Sequence, residues 1–512
     1  MRTKLTFRAL AVVLFLIILS PALSGASTVL IKEATIVDGT GQAAYKGEIL
    51  IEDERITKIA KADTIKPAAT ATIVKAPGHV VCPGFIDVHS HDDLSIIKHP
   101  EQMPKIMMGV TTVVAGNCGD GIAPFDGDAR TAFKGLDGEG LIDLEDLRFA
   151  TMGEWMSHVE KIRPGTNMGL LVPHMMVRVE VMGGERRKPT SSELEKMQEI
   201  VRQAMADGAL GFSTGLEYTP GAWADKDEIV ALLKPVKEYG GIYTTHMREE
   251  KAKVVESVKE AITTAGEAGV PLEISHLKSA SPGWGKVREA LALIDEANRM
   301  GQVVHADQYP YTASSTSLKA YLRWGDVKRS PGTIVIVNSE THPQTAGQRL
   351  NEIAEDMGLS AEAAAEALLP ASAVNFCMDE EDVRFVMRHP SVMVITDGLL
   401  RGEKPHPRLY GTYPRVLGKY VRELKVLEIE EAIRKMTSLP AQTFKLKDRG
   451  VLRVGAIADI VIFDPEIIRD TATFDNPKQY PVGINAVMVN GVFAVRDGKY
   501  TGERPGKVIR RQ

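Results

Sequence analysis

Cysteine is nearly absent. The 512-residue chain holds three, Cys82, Cys118 and Cys377, with no two closely spaced. An odd, scattered set excludes a disulfide framework even in an exported protein. The chain also lacks any Lys/Arg-rich stretch interleaved with aromatics, and its formal net charge is −5, so a nucleic-acid surface is excluded. No low-complexity tract or solenoid-length repeat is present. A long apolar run occurs at the N-terminus, where Arg2, Lys4 and Arg8 precede or flank ALAVVLFLIIL (9–19) and Ser24-Gly25-Ala26 offers small residues at a cleavage site. This predicts a cleaved signal peptide over 1–26 and an exported protein, periplasmic or secreted. The alternative is an uncleaved membrane anchor. Pro21, Ser24 and Gly25 interrupt the run, which falls short of the roughly 20 apolar residues of a span. No cysteine stands at the cleavage site, so lipid attachment there is excluded, and no stable membrane association is expected after cleavage.

What remains has the composition of an ordinary globular protein, 44% hydrophobic and 25% charged. It is too long for one compact core. Its most informative feature is a set of metal-type ligands, each at the downstream end of an apolar β-like run. These are His89 and His91 in GFIDVHSH, Cys118 in TTVVAGNC, His246 in GIYTTHMR, His276 in PLEISHLK and Asp397 in SVMVITDG. ALGFSTG (209–215) and VVHADQYP (303–310) are similar runs without a ligand, and MGLLVPH (168–174) is a further candidate. Helix-like segments separate most of them, which predicts an α/β fold with a parallel sheet. In a closed (β/α)8 barrel the C-terminal strand ends converge on one mouth, so ligands scattered along the sequence would become one cluster.

A lone histidine is usually structural or superficial, and His79, His99, His158, His342 and His389 have no better claim. His89 and His91 differ, because positions i and i+2 of a strand face the same side and both rings can reach one ion. Asp87 precedes them in an apolar strand, where a charge needs a partner. Taken singly, Cys118 reads as a small core residue. Among the other ligands, its thiolate could bridge two divalent ions. His246 and His276 close apolar strands, where core packing would favour aliphatic residues, and Arg248 and Lys278 lie close by. Asp397 could coordinate metal and exchange a proton with bound water. One rival motif is present: Gly211-Phe212-Ser213-Thr214-Gly215 matches G-x-S-x-G, but LEYTPGAW follows it as loop, not the helix that a nucleophile elbow requires.

The chain ends read differently from the middle. Residues 28–82 form short strands joined by turns, and GAIADIVIFD (455–464) and AVMVNGVFAVRDGKY (486–500) repeat the style, with Asn490-Gly491 as a hairpin signal. The expected organisation is a small β-sandwich domain from 27–82 plus 449–512 around a (β/α)8 TIM-type barrel at 83–448. An α/β insertion at about 319–385 is placed to serve as a lid at the mouth.

The motifs PGFIDVHSHDD, GVTTVVAGNCG, GLEYTPG, TTHMREE, EISHLK, DQYPYTAS, TDG, HPRLYGTYPR and DRGVLRVGAIADIVIFD resemble those of the N-acyl-D-amino-acid deacylases (D-aminoacylases) of the amidohydrolase superfamily. The resemblance covers nearly everything after residue 26. It implies a metal-dependent barrel with a small β-sandwich and a lid. It also implies a tight zinc site from Cys118, His246 and His276, and a second, weaker site bordered by His89, His91 and Asp397. Asp397 would be general base and acid, and Lys278, Tyr309 and Arg408 would take the substrate carboxylate. Two departures stand out: TDG at 396–398 replaces the usual SDG, and His174-Met175-Met176 replaces a Gly-rich stretch.

The expected activity is zinc-dependent hydrolysis of a linear N-acyl-D-amino acid, a small-molecule substrate. Alternatives are a dipeptidase for L-Xaa-D-Xaa peptides, a hydantoinase-like ring opener, disfavoured because Cys118 stands where a lysine is expected, and a non-catalytic barrel scaffold.

Overall fold

In the computed structural model, residues 27–127, 134–137 and 148–511 are described. The expected signal peptide (1–26) lies outside them. Eight parallel strands form the central barrel: Phe85–Asp87, Val110–Ala115, Asn167–Pro173, Gly211–Gly215, Ile242–His246, Leu272–Ile274, Val304–Gln308 and Val392–Val394. They neighbour one another in chain order, and all their pairings are parallel. The eighth strand meets the first just beyond both strand ends, through a parallel bridge between Ser90 and Gly398. There, Asp397 N donates to His89 O at 2.9 Å and His91 N to Gly398 O at 3.2 Å. The ring is thus nearly closed, and its seam is short.

Amphipathic helices cover the barrel. Ser191–Ala206 begins with a reciprocal capping box between Thr190 and Glu193, and buries Met197, Val201, Ala204 and Met205 along one stripe. Val254–Ala268 buries Val254, Val258, Ala261, Ala265 and Ala268 and stops at Gly269, which takes φ 70°. These stripes and the outward-facing strand residues form the main core.

Both chain ends enter one nine-stranded sheet. Its order runs from Lys499–Tyr500 through Val492–Arg496, Ile484–Val489, Ile460–Phe463, Val80–Pro83, Thr28–Ile36 and Tyr45–Glu52 to Arg55–Ala60, with Thr72–Lys75 paired to Thr28–Ile36. Ile49, Ile51 and Ile56 from one arm share a core with Ile460, Ile462 and Met488 from the other, so the sheet folds over on itself. The Asn490-Gly491 turn has φ 49° and 79°, the double positive pair of a tight hairpin. Asn490 also ties the sheet to the barrel, donating from Nδ2 to Asn167 Oδ1 at 2.7 Å, while its N donates to Asp459 Oδ1 at 2.7 Å beside the neighbouring sheet strand.

Between the seventh and eighth strands lies a separate α/β unit. Strands Ser314–Ser317, Ala371–Asn375 and Ile334–Ser339 pair antiparallel, and helices Leu318–Arg323, Leu350–Met357 and Ala361–Leu368 enclose a core of Leu318, Ile334, Ile336, Leu350, Ile353 and Leu368. The unit is displaced from the expected 319–385. Ser314–Ser317 already belongs to its sheet, while Glu380–Arg388 packs back on the barrel.

Candidate metal centre

All six ligand candidates come together at the C-terminal mouth of the barrel. His246 is the last residue of the fifth strand, and the others lie two to four residues past their strands. Cys118 Sγ sits 3.3 Å from His89 Nε2, 3.5 Å from His276 Nε2 and 3.9 Å from His246 Nδ1. His246 Nδ1 and His276 Nε2 are 3.0 Å apart. On the other flank, Asp397 Oδ1 lies 3.3 Å from His91 Nε2 and 3.6 Å from His89 Nε2. Among the described residues, three overlapping groups have the spacing to hold a metal ion: His89, Cys118 and His276; His89, His91 and Asp397; and His246, Glu250 and His276. The two expected half-sites are therefore one continuous cluster, with His89 at the join.

The backbone is bent to bring these side chains together. Cys118, His276 and Asp397 take φ of 55°, 38° and 48°, a left-handed conformation that non-glycine residues adopt at a cost. Each turns the chain sharply at a strand end. Ser213, the rival nucleophile, lies within the fourth strand, fully buried; it donates to Gly116 O and accepts from Gly119 N at 3.1 Å. It is a packing link between strands.

Behind the ligands stands a layer of carboxylates not singled out from the sequence. His89 Nδ1 is 3.3 Å from Asp307 Oδ2, His246 Nε2 is 3.3 Å from Glu217 Oε2, and His276 Nδ1 is 2.8 Å from Glu250 Oε1. His89 and His246 so aim one nitrogen into the cluster and the other at a carboxylate, the arrangement that fixes tautomer and orientation in metal-ligating histidines, whereas His276 Nδ1 lies 2.8 Å from both Glu250 Oε1 and Lys278 Nζ. The carboxylates' signal was faint: Asp307 and Glu217 are lone acids in or just after a strand (HADQ, GLEY), and Glu250 is the second of an ordinary acidic pair (HMREE).

Electrostatics favour a cation here. Burial pushes the Cys118 thiol well above its usual range, and the Asp397 and Glu250 carboxylates push it further, so a thiolate needs positive charge beside it. Burial and the Lys278 ammonium bring His276 down to about 4, leaving its ring neutral and free to coordinate. Burial alone would raise Asp397. The Arg408 guanidinium, the His91 hydrogen bond and the His276 and His89 rings outweigh it and hold the carboxyl well below its usual range. A set of one thiolate, imidazoles and a carboxylate fits zinc.

Beside the cluster, Lys278, Tyr309 and Arg408 line the same cavity. The Arg408 guanidinium stacks 4.5 Å over the Tyr309 ring, and Lys278 Nζ lies 5.8 Å from that ring. Arg408 is also held by the inserted unit, donating from Nη2 to Ser315 O at 3.3 Å. Lys278 Nζ is 2.6 Å from Glu250 Oε2. The inserted unit walls the cavity with Ser314, Thr316 and Tyr321.

A barrel of parallel strands carrying such a ligand cluster at its mouth defines a metal-dependent hydrolase of the amidohydrolase type, and the amidohydrolase family model matches residues 72–315 and 363–495. A D-aminoacylase of Alcaligenes xylosoxydans xylosoxydans is 38% identical over 483 residues, covering 94% of this chain and 97% of the relative. An N-acyl-D-aspartate deacylase of the same organism is 39% identical over 483 residues, 94% of each. The crystal structure of an N-acyl-D-glutamate deacylase from Bordetella bronchiseptica, complexed with zinc and a phosphonate mimic of the tetrahedral intermediate, superposes with a TM-score of 0.88 at 37% identity, over 94% of this chain and 99% of that one. The chain belongs to the N-acyl-D-amino-acid deacylase (D-aminoacylase) group of the amidohydrolase family.

Proposed function

We propose that this enzyme uses zinc to hydrolyse the amide of N-acyl-D-amino acids, releasing a carboxylate and a free D-amino acid. The observation that carries the reading is the adjacency of two sets in one cavity: the ligand cluster around Cys118, and the cationic pair Lys278 and Arg408 against Tyr309. Cys118, His246 and His276 would hold the metal tightly, with His89, His91 and Asp397 bordering a weaker position. When bound, zinc supplies a Lewis acid that polarises the acyl carbonyl and acidifies water.

The chain supplies the rest. Asp397 accepts the proton of the attacking water at its carboxylate and returns it to the departing amine. Lys278 and Arg408 hold the α-carboxylate, and Asp307, Glu217 and Glu250 keep the imidazoles aimed. With the carboxylate and scissile carbonyl both anchored, inversion at Cα drives the side chain from its pocket into the wall, so handedness is read geometrically. The basic and apolar start of the chain supports export with cleavage after Ala26. N-terminal sequencing of the extracytoplasmic fraction tests that part, and a mature chain retaining residues 1–26 would refute it.

The deciding experiment is turnover by the purified mature protein on paired N-acetyl-D- and N-acetyl-L-amino acids, with zinc analysis. A large preference for D substrates in kcat/KM is expected. Comparable values for the two enantiomers, or full activity without metal, would overturn the reading.

A further inference from the structure

The seam that closes the barrel is held by side chains as much as by backbone. Lys105, on the helix Met103–Met107, is 1% exposed, and its Nζ lies 2.5 Å from Asp87 Oδ2 and 2.6 Å from Thr396 Oγ1. Thr396 in turn donates its Oγ1 to Asp87 Oδ2 at 2.6 Å and its N to Asp87 Oδ1 at 3.0 Å. An amide two residues beyond strand eight is thus satisfied by a strand-one carboxylate. Asp92 Oδ1 stands 3.7 Å from the same ammonium, and Gln102 Nε2 donates to Asp92 Oδ2 at 2.8 Å. A Cβ on Gly398 would lie 2.9 Å from Thr396 Oγ1 and 3.3 Å from Lys105 Nζ, so glycine leaves room for the contact.

Asp87 precedes His89 by two residues and His91 by four, and Thr396 immediately precedes Asp397. The triad therefore joins the two arms that carry one flank of the ligand cluster, while Cys118, His246 and His276 stand on other strands. We infer that Lys105, acting through Asp87 and Thr396, is a positioning residue that sets the distance between the His89/His91 arm and Asp397, and so governs the weaker metal position and the proton-transferring carboxylate. The catalytic part of this inference rests on the proposed hydrolysis; the metal-binding part does not. The physical ground is that a buried ammonium with two carboxylates and a hydroxyl has few alternative arrangements, because any movement leaves a charge unpaired. A displacement near 1 Å at a reacting group is enough to cost about 100-fold in rate.

The test compares Lys105→Met, Thr396→Val and Thr396→Ser with the parent, using kcat and KM on the best N-acetyl-D substrate and cobalt(II) titration of metal-free protein. Lys105→Met should keep the first cobalt equivalent, with its thiolate absorption from Cys118. The second should weaken by about 10-fold or more. Its kcat should fall about 10- to 100-fold with a smaller change in KM, since Lys278 and Tyr309 lie outside the triad and only Arg408 touches the displaced Asp397. Thr396→Val should shift in the same direction, and Thr396→Ser, which keeps the hydroxyl, should match the parent. Parent-like kinetics and cobalt binding in folded Lys105→Met would overturn the inference. So would parallel loss of both cobalt equivalents, kcat and KM together, the signature of general destabilisation. If Lys105→Met does not fold, the Thr396 pair decides, and identical Val and Ser variants would overturn it. A parent protein without deacylase turnover would refute the proposed function and leave the second-cobalt affinity as the reading of the seam.

Discussion

Arg408 Nη1 and Asp397 Oδ2 form a buried ion pair at 2.8 Å. One of these groups is assigned to the substrate carboxylate and the other to proton transfer, so the anchor and the base share a contact before substrate arrives. The substrate carboxylate must then compete for Arg408 and, in binding, withdraw part of its charge from Asp397. Binding and chemistry are thereby linked through one guanidinium. Arg408→Ala should lose roughly 1.5–3 kcal/mol of transition-state binding, about 10- to 100-fold in kcat/KM. Both parameters should change: KM from the lost anchor, kcat from the unpaired Asp397. Unchanged kinetics would place the substrate carboxylate elsewhere.

Asp397 sits at the rim of the ligand cluster. Its near neighbours are His91 and His89, while Cys118, His246 and His276 close together without it. Asp397→Asn should therefore keep most tightly bound zinc and lose turnover by a factor on the order of 100 to 10,000. Metal analysis beside single-turnover assays separates the two effects. Loss of all zinc would make Asp397 a primary ligand, and unchanged turnover would remove it from proton transfer.

Stability should carry its own pH signature. Glu228 is fully enclosed with Arg178 and His174: its Oε2 lies 2.5 Å from Arg178 Nη1 and its Oε1 2.9 Å from His174 Nε2. Burial alone would raise this carboxyl, but the His174 and Arg178 contacts outweigh it and hold it below 4.5. A depressed carboxylate contributes stability that is present above its unfolded value and is lost as pH falls through the folded one. Glu228→Gln should thus cost roughly 3 kcal/mol at neutral pH by leaving a buried guanidinium unpaired. Its deficit against the parent in denaturant melts should hold constant down to about 4.5 and then shrink. A deficit that grew on acidification would reject this account.

The ligand cluster was legible in the sequence because metal chemistry puts polar residues where a strand would otherwise end in aliphatic ones. His89, His246 and Asp397 stand out against FIDV, IYTT and MVIT for that reason. The carboxylates behind them were not legible. Asp307 serves His89 from 218 positions away, and only the closed barrel shows that the two strands face each other's ends. Lys105 reads as an ordinary helical lysine until the seam is seen around it. The start of the inserted unit was hidden because Ser314–Ser317 has no apolar alternation; its strand character comes from pairing with Ala371–Asn375. The G-x-S-x-G match shows the opposite case, a pattern present without its strand–turn–helix context.

Glu250 reaches both halves of the site. Its Oε1 lies 2.8 Å from His276 Nδ1 and its Oε2 2.6 Å from Lys278 Nζ, so one carboxylate faces both a candidate metal ligand and the ammonium proposed to bind substrate. Burial would raise this carboxyl, but Lys278, His276 and His246 hold it well below its usual range, which keeps it charged for both tasks. Glu217 makes the informative contrast, since it touches His246 Nε2 at 3.3 Å and Lys251 Nζ at 3.0 Å but is not paired with Lys278. Glu217→Gln should lower zinc affinity by about 10- to 100-fold and, once zinc is saturating, leave KM near the parent value. Glu250→Gln should lower zinc affinity by a similar factor and also raise KM at saturating zinc, because Lys278 loses the partner that fixes its ammonium. Equal KM in the two zinc-saturated variants would show that Glu250 serves the metal side alone, and that Lys278 is positioned by His276 O, its other oxygen partner at 3.0 Å.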